Sequence, residues 1–277
     1  MTLYLVGTPI GNLEDITFRA VRILKEVDII ACEDTRVTGK LTSHYDIATP
    51  LKSYHEHNKD KMTEQLVELL VAGKTVALVS DAGLPLISDP GYELVIAVRE
   101  AGIRVETVPG PNAALTALMT SGLSSYSFLF SGFLPRKDSE KMARLETLMN
   151  EPHSIILYES PYRVKDTLAA IEKIDKNRRV ALGRELTKKF EQVVTLPVNA
   201  LLQELEVSIP AKGEFVIVID GQYETDEADM WWHQLSINEH VEYYMKKDLS
   251  SKEAIKQVSL DRNIKKREVY ESYHIDK

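Results

Sequence analysis

The run VALVSDAGLPLISDPG, Val76 to Gly91, begins as an apolar strand and then carries two aspartates, two glycines and two prolines, with no lysine. The glycines allow a ligand close to the backbone, and Asp81 and Asp89 would rim it, with Gly83 and Gly91 between and after them. Such an acid-rimmed turn suits a positively charged or ribose-bearing ligand better than a phosphate. S-Adenosylmethionine has both features: a sulfonium with an ammonium, and a ribose whose hydroxyls a carboxylate can accept. The same residues also fit an Asx turn followed by a helix opening at Asp89 and Pro90.

Other short stretches could share this rim. GTPIGN, Gly7 to Asn12, follows an apolar strand but is neither GxGxxG nor GxxxxGK[ST]. Pro9 lacks the N–H that could hold a phosphate, which weakens dinucleotide and triphosphate readings and leaves a plain strand-to-helix turn as the alternative. VPGPNAALTAL, Val108 to Leu118, is a strand, a turn and a helix opening at Asn112, where small residues leave room for a flat ring beside unpaired N–H groups. ACEDTR, Ala31 to Arg36, brings Glu33, Asp34 and Arg36 to the same edge, although Asp34 also suits a helix cap. YHEHN, Tyr54 to Asn58, puts His55 and His57 on one face of an expected strand; with no clustered third ligand, no metal is expected. YESPYR, Tyr158 to Arg163, and GRELTKKFE, Gly183 to Glu191, mix acids, bases and aromatics at strand ends, where surface ion pairing accounts for them equally well.

Positioning these turns requires strands that end together. From Thr2 to about Gly122, short apolar runs (LYLVG, DIIACEDT, LKSYHEH, TVALVSD, RVETVPGP) are separated by helix-periodic segments such as TFRAVRILKEV, MTEQLVELLVAG and GYELVIAVREAG. That alternation predicts an α/β fold with a mostly parallel sheet covered on both faces. GLSSYS is a plausible hinge, after which FLFSGFL, HSIILYES, RVALGREL, FEQVVTL and GEFVIVIDG predict a second, α+β domain with a mixed sheet. The expected organisation is a first domain over 1–122, a second over 123–221, an acidic linker over 222–234 and a small helical tail over 235–277. The tail's two helical segments around DRNI fit a helix-turn-helix, or simply lysine-bearing solvated helices.

With 277 residues, 44% hydrophobic and 27% charged, the chain is long enough to bury a substantial core. A net charge of -8 argues against broad attraction to nucleic acid, so an RNA partner must meet a local basic patch. Cys32, the single cysteine, is expected to be an inert core thiol. No segment approaches the roughly 20 apolar residues of a membrane span, and a cytoplasmic, membrane-free protein is expected.

In order, YLVGTPIGNLEDIT, SDAGLPLISDPG, VPGPNAALTAL, GFLPRK, YESPYR, RELTKKFE and KGEFVIVI resemble the tetrapyrrole methylase superfamily, from Thr2 to about Gly221. The tail from about Leu235 resembles the small helix-turn-helix appended in some members. The resemblance implies two α/β domains with S-adenosylmethionine in the cleft between them, commonly in a homodimer. Its cofactor contacts would fall on Pro9, Ile10, Asp81, Gly83, Leu84, Pro111, Asn112, Ala113 and Ala114, joined by Tyr158, Arg184, Glu185 and Glu214. Porphyrin-directed relatives carry a GDP-type motif where this chain has SDAGLP. The resemblance therefore favours the branch that methylates a cytidine 2'-oxygen in small subunit (16S) ribosomal RNA, free or in the assembled subunit.

A ribose hydroxyl is a poor nucleophile at neutral pH and calls for a general base. Glu33 and Asp34, with His55 behind them, are the candidates; Arg36 or Arg163 would steady the neighbouring phosphate. Arg136, Lys137, Lys188 and Lys189 are the other bases expected near the cleft, and Lys265, Lys266 and Arg267 of the tail could add an outer contact. Methylation of a tetrapyrrole precursor and a noncatalytic RNA-binding or ribosome assembly role are the rival readings.

Overall fold

The computed structural model describes residues 1–221, 232, 235–247, 249–262 and 264–275. The chain divides into two compact units, Met1–Gly221 and Gln222–Lys277. The first unit holds two five-stranded sheets.

In the first sheet, β1 (Thr2–Val6), β2 (Ile29–Cys32), β3 (Leu51–Ser53), β4 (Val76–Val79) and β5 (Arg104–Val108) run in the order β3-β2-β4-β1-β5. Every pairing is parallel, with Leu5 opposite Leu78 on one side and Thr107 on the other. Parallel strands need crossovers, here α1 (Phe18–Glu26), α2 (Thr35–His44), α3 (Lys59–Val71) and α4 (Tyr92–Glu100). Helices cover both faces, which is why β4 is apolar at consecutive positions: Ala77 and Val79 pack with Ile23 and Leu24 of α1, while Val76 and Leu78 pack with Leu66, Leu70 and Leu94 of α3 and α4. All five strands point one way, so the turns that follow them share one edge of the sheet.

The next helix, α5 (Ala113–Ser121), leaves the first sheet for the second. Asn112 caps it by accepting from the Leu115 N–H at 3.0 Å. Ala114, Ala117 and Leu118 are buried against Ile156, Ala181, Val216 and Val218. The second sheet, β6 (Phe128–Phe133), β7 (Ser154–Glu159), β8 (Arg179–Arg184), β9 (Gln192–Pro197) and β10 (Phe215–Ile219), has the order β6-β7-β10-β8-β9. Only β6 and β7 pair in parallel, so this sheet is mixed, as the sequence predicts. Its other face is covered by α6 (Asp138–Met149), α7 (Val164–Ile174) and α8 (Val198–Val207).

One expected strand is shorter than the sequence suggests. β3 stops at Ser53, because the Asn58 side chain accepts from the His55 N–H (2.8 Å) and donates to the Ser53 carbonyl (3.1 Å). This local turn removes the segment from the ladder, so His55 and His57 do not share a strand face; their rings meet edge to face with centroids 6.0 Å apart.

The second unit packs α9 (Ile237–Met245), α10 (Ser251–Asp261) and α11 (Lys266–Ile275) around Val241, Ala254, Ile255, Val258, Val269 and Tyr273. Ser236 with Glu239, and Ser250 with Glu253, form capping boxes that start α9 and α10. Apart from Trp232, the acidic linker expected over 222–234 lies outside the described residues.

Candidate active site

The turns after β1, β4 and β5 meet at the carboxyl edge of the first sheet. Gly7 and Gly110 are in backbone contact: a Cβ on Gly7 would lie 2.8 Å from the Gly110 Cα, so neither position has room for a side chain. The Thr8 N–H donates to the Gly83 carbonyl (2.8 Å), and the Gly83 N–H donates back to Thr8 (3.1 Å). The Thr8 hydroxyl adds a bond to the Ser80 carbonyl at 3.1 Å. Pro9 and Ile10 follow this bridge, and Ile10 packs with Ala117, Leu186 and Val216, joining the rim to the second sheet.

Between rim and second sheet lies a crevice of about 230 Å³. The first-sheet side supplies Ile10, Ala82 to Leu84, Ile87 to Asp89, Asn112 and Ala113; the second-sheet side supplies Phe133, Tyr158, Glu159 and Glu214 to Val216. An adjoining hollow of about 300 Å³ shares Ile10, Ala82 and Glu214 and adds Pro9, Val37, Lys40, Asp81 and Lys188. A third depression meets the crevice at Ser88 and Asp89 and includes Glu33, Glu56, Lys59 and Glu93.

The acids along this edge differ in character. Burial, reinforced by the charges of Glu33 and Asp81, pushes the Asp89 carboxyl up to about 6. Burial also raises Glu33, with Asp81 adding to the effect and His55 opposing it. Asp34 moves the other way, to about 2, because Arg36 donates to it through side chain and backbone. It also caps α2, while its own N–H donates to Asp81 Oδ1 at 3.0 Å. A carboxylate held so low is a weak base, which argues against the expected proton-accepting role of Asp34. His55 Nδ1 is buried without a hydrogen-bond partner among the described residues.

Of the cofactor residues expected from the sequence, Ile10, Gly83, Leu84, Asn112, Ala113, Tyr158 and Glu214 come together in the crevice wall. Pro9 and Asp81 face the adjoining hollow with Lys188. Pro111 approaches Gly83 through its carbonyl oxygen. Three others have different surroundings. Ala114, in the first turn of α5, is buried against the second sheet. The Arg184 guanidinium donates to the carbonyls of Lys212 (2.8 Å) and Phe190 (3.2 Å), pinning its own loop. Glu185 accepts from Lys188 Nζ (2.9 Å) and the Glu214 N–H (3.0 Å).

The expected phosphate ligands divide similarly. Arg36 is paired with Asp34, and Arg163 donates to the carbonyls of Leu134 and Pro135. Lys188 bridges Glu185 and Glu214. Arg136, Lys137 and Lys189 are exposed.

Sequence reasoning missed Phe133, Glu159, Phe215 and Val216 as crevice residues. The last two directly follow Glu214 at a strand start, a signal that was available. Glu159 is only 3% exposed, and its two oxygens accept from the Ser160 N–H and the Thr167 hydroxyl, each at 2.8 Å, with Arg163 at 3.6 Å. It therefore holds the turn after β7. Glu159→Ala should destabilise the protein by about 3 kcal/mol, since it strands a buried donor set; a urea midpoint within error of wild type would contradict this.

A parallel sheet ordered β3-β2-β4-β1-β5 is thus coupled through one helix to a mixed sheet, with a crevice between them. Residues 2–202 match the tetrapyrrole (corrin/porphyrin) methylases, and the chain belongs to that family. The fold agrees with that of uroporphyrin-III-C-methyltransferase from Thermus thermophilus (24% identity, 78% of this chain and 93% of that one, TM-score 0.53). It also agrees with diphthine synthase (12% identity, 79% and 89%, TM-score 0.61).

Much closer in sequence are two proteins named ribosomal RNA small subunit methyltransferase I. That of Halalkalibacterium halodurans is 52% identical over 276 residues, covering 99% of this chain and 94% of the relative. That of Bacillus subtilis (strain 168) is 50% identical over 275 residues, with the same coverage. The chain is an S-adenosylmethionine-dependent methyltransferase. The crevice suits that donor: Ile10, Leu84 and Val216 offer apolar walls for a flat base, and Asp89 and Glu214 offer carboxylates to a cationic, hydroxyl-bearing ligand. Among the described residues, no helix is long and apolar enough to cross a membrane.

Proposed function

We propose that this chain methylates small subunit (16S) ribosomal RNA, at the ribose 2'-oxygen of a cytidine, with S-adenosylmethionine bound in the crevice between the sheets. The observation that carries the reading is the 50–52% identity, over 99% of the chain, to relatives named for that RNA. When bound, S-adenosylmethionine supplies an electrophilic methyl group on a sulfonium. The protein's part is to hold that donor and the sugar oxygen in line, within about 3 Å, and to take the hydroxyl proton.

Asp89 faces the donor with negative charge, Glu214, paired with Lys188, offers its other oxygen to a hydroxyl, and Ile10, Leu84 and Val216 keep water from the donor. Glu33 is the base: its raised carboxyl accepts a proton more readily than Asp34 does, and His55 stands beside it. As the C–O bond forms and the C–S bond breaks, the ribose proton passes to Glu33 and then to solvent. Arg136, Lys137 and Lys189 contact RNA phosphates, and Lys265, Lys266 and Arg267 of the second unit add outer contacts. The acceptor is the free RNA or the assembled small subunit, and the protein acts in the cytoplasm as a homodimer, as the family resemblance implies.

The test is to map 2'-O-methylation in small subunit RNA from cells with and without the chain. One cytidine should lose its 2'-O-methyl group when the chain is absent. An unchanged map, or label transferred instead to a tetrapyrrole precursor, would overturn the reading.

A further inference from the structure

β6 is an edge strand bonded only to β7, and its register slips between Phe130 and Gly132, leaving Ser131 as the extra residue of a bulge. Gly132 takes φ 62°, a conformation that glycine accommodates at such a step. In a regular strand Phe130 and Phe133, three residues apart, would lie on opposite faces. Here both rings meet Tyr158 edge to face, with centroids 5.0 and 5.8 Å away, whereas Leu129 and Leu134 join the core on the other side. The bulge thus turns Phe133 toward the crevice, where 57% of it remains exposed.

Tyr162, 92% exposed, stands on the turn after β7. Arg163 fastens that turn to the exit of β6 by donating to the carbonyls of Leu134 and Pro135, each at 3.0 Å. The next two residues, Arg136 and Lys137, are exposed cations in a chain of net charge -8, and Lys137 reaches Glu140 at 3.2 Å in a surface pair that a phosphate can replace. A ring at the crevice, a second uncovered ring on the turn fastened beside it, and cations next in the chain match the chemistry by which proteins hold unpaired RNA: bases stack on aromatics while phosphates meet positive charge.

We propose that Phe133 and Tyr162 form a stacking platform for an unstacked base of the RNA acceptor, with Arg136 and Lys137 on the flanking phosphates. The inference rests on the RNA reading above and deepens it. A nucleotide within a structured RNA must leave its stack before its sugar reaches the donor, and the platform compensates for the stacking it loses.

Phe133→Ala, Tyr162→Ala and the double variant, with Phe133→Trp as the conservative control, are assayed with labelled S-adenosylmethionine and small ribosomal subunits lacking the modification. KM for the subunits should rise about tenfold in each alanine variant, in line with the strength of base–aromatic stacking, and Phe133→Trp should stay near wild type. In Tyr162→Ala, which lies outside the crevice wall, calorimetric affinity for S-adenosylmethionine, the thermal midpoint and the sedimentation coefficient should not change. Unchanged KM overturns the platform. Weakened donor binding in Tyr162→Ala assigns that ring to the donor and overturns it too, as does altered sedimentation, which would make the ring a subunit contact. If wild type itself transfers no label to the subunits, the RNA reading fails, and the platform with it.

Discussion

Glu33→Gln should lower turnover by about 10² to 10⁴, the usual contribution of a general base, while leaving S-adenosylmethionine affinity close to wild type. The amide keeps the shape of the side chain and removes the basic carboxylate that takes the ribose proton. Burial and the charge of Asp81 hold Glu33 above the ordinary carboxylate range, so the base is better matched to neutral pH than a free carboxylate. The wild-type rate should accordingly rise with pH through that raised pKa, and the variant should lose this limb. Asp34→Asn is the informative comparison. Its carboxylate, held at about 2 by Arg36 and engaged as the α2 cap, should matter more for thermal stability than for rate. Single-turnover rates at saturating donor decide the matter: equal rates for Glu33→Gln and wild type remove Glu33 as the base.

The second large effect is expected at Asp89. In the folded protein this carboxyl titrates at about 6, raised mainly by burial and then by Glu33. Below that pH it is neutral and offers nothing to a cationic donor; above it the carboxylate faces the crevice. S-Adenosylmethionine affinity should therefore increase about tenfold between pH 5 and pH 8 in wild type, a modest fraction of what an unscreened charge pair supplies, and stay flat in Asp89→Asn. Stability should move the other way. An unfolded aspartate titrates at about 3.9, so between that value and 6 the folded state binds the extra proton, and stability falls as pH rises through the window. Asp89→Asn, which carries no charge to bury, should be more stable than wild type at pH 8 by about 1–2 kcal/mol, after allowance for its partial contact with solvent. At pH 4 the two should agree. Calorimetry with S-adenosylmethionine at both pH values, beside urea titrations without it, separates the two effects. Equal pH dependence of affinity in the two proteins would remove Asp89 from the donor site.

These two carboxylates show how far a linear reading reaches. Both are visible in the sequence as acids at strand ends, and of Glu33 and Asp34 only Asp34 also suits a helix cap. The difference arises because Arg36, two residues on, folds back onto Asp34 at the start of α2, while Glu33 turns toward Asp81 and Asp89, brought from β4 by the parallel order of the sheet.

Local physics suffices for much of the architecture. The doubly covered β4 is legible because burial on two faces requires an uninterrupted apolar run, and Asn112 is legible as a cap because a side chain three residues before a free N–H can reach it. The glycine and proline turns are legible because few residues tolerate such backbone geometry. What tertiary structure alone decided was who meets whom. The helix after β5 crosses to the second sheet, so the Ala114 side chain is buried against its strands. Arg184 and Glu185 close their own loop instead of lining the crevice, because the partners Lys212 and Glu214 come from a segment nearly thirty residues away in sequence, |i−j| 28 and 29. A one-residue bulge in β6 reverses the face on which Phe133 lies. Periodicity records which positions are apolar, but register slips and long-range hydrogen bonds depend on surfaces that exist only once both sheets have formed.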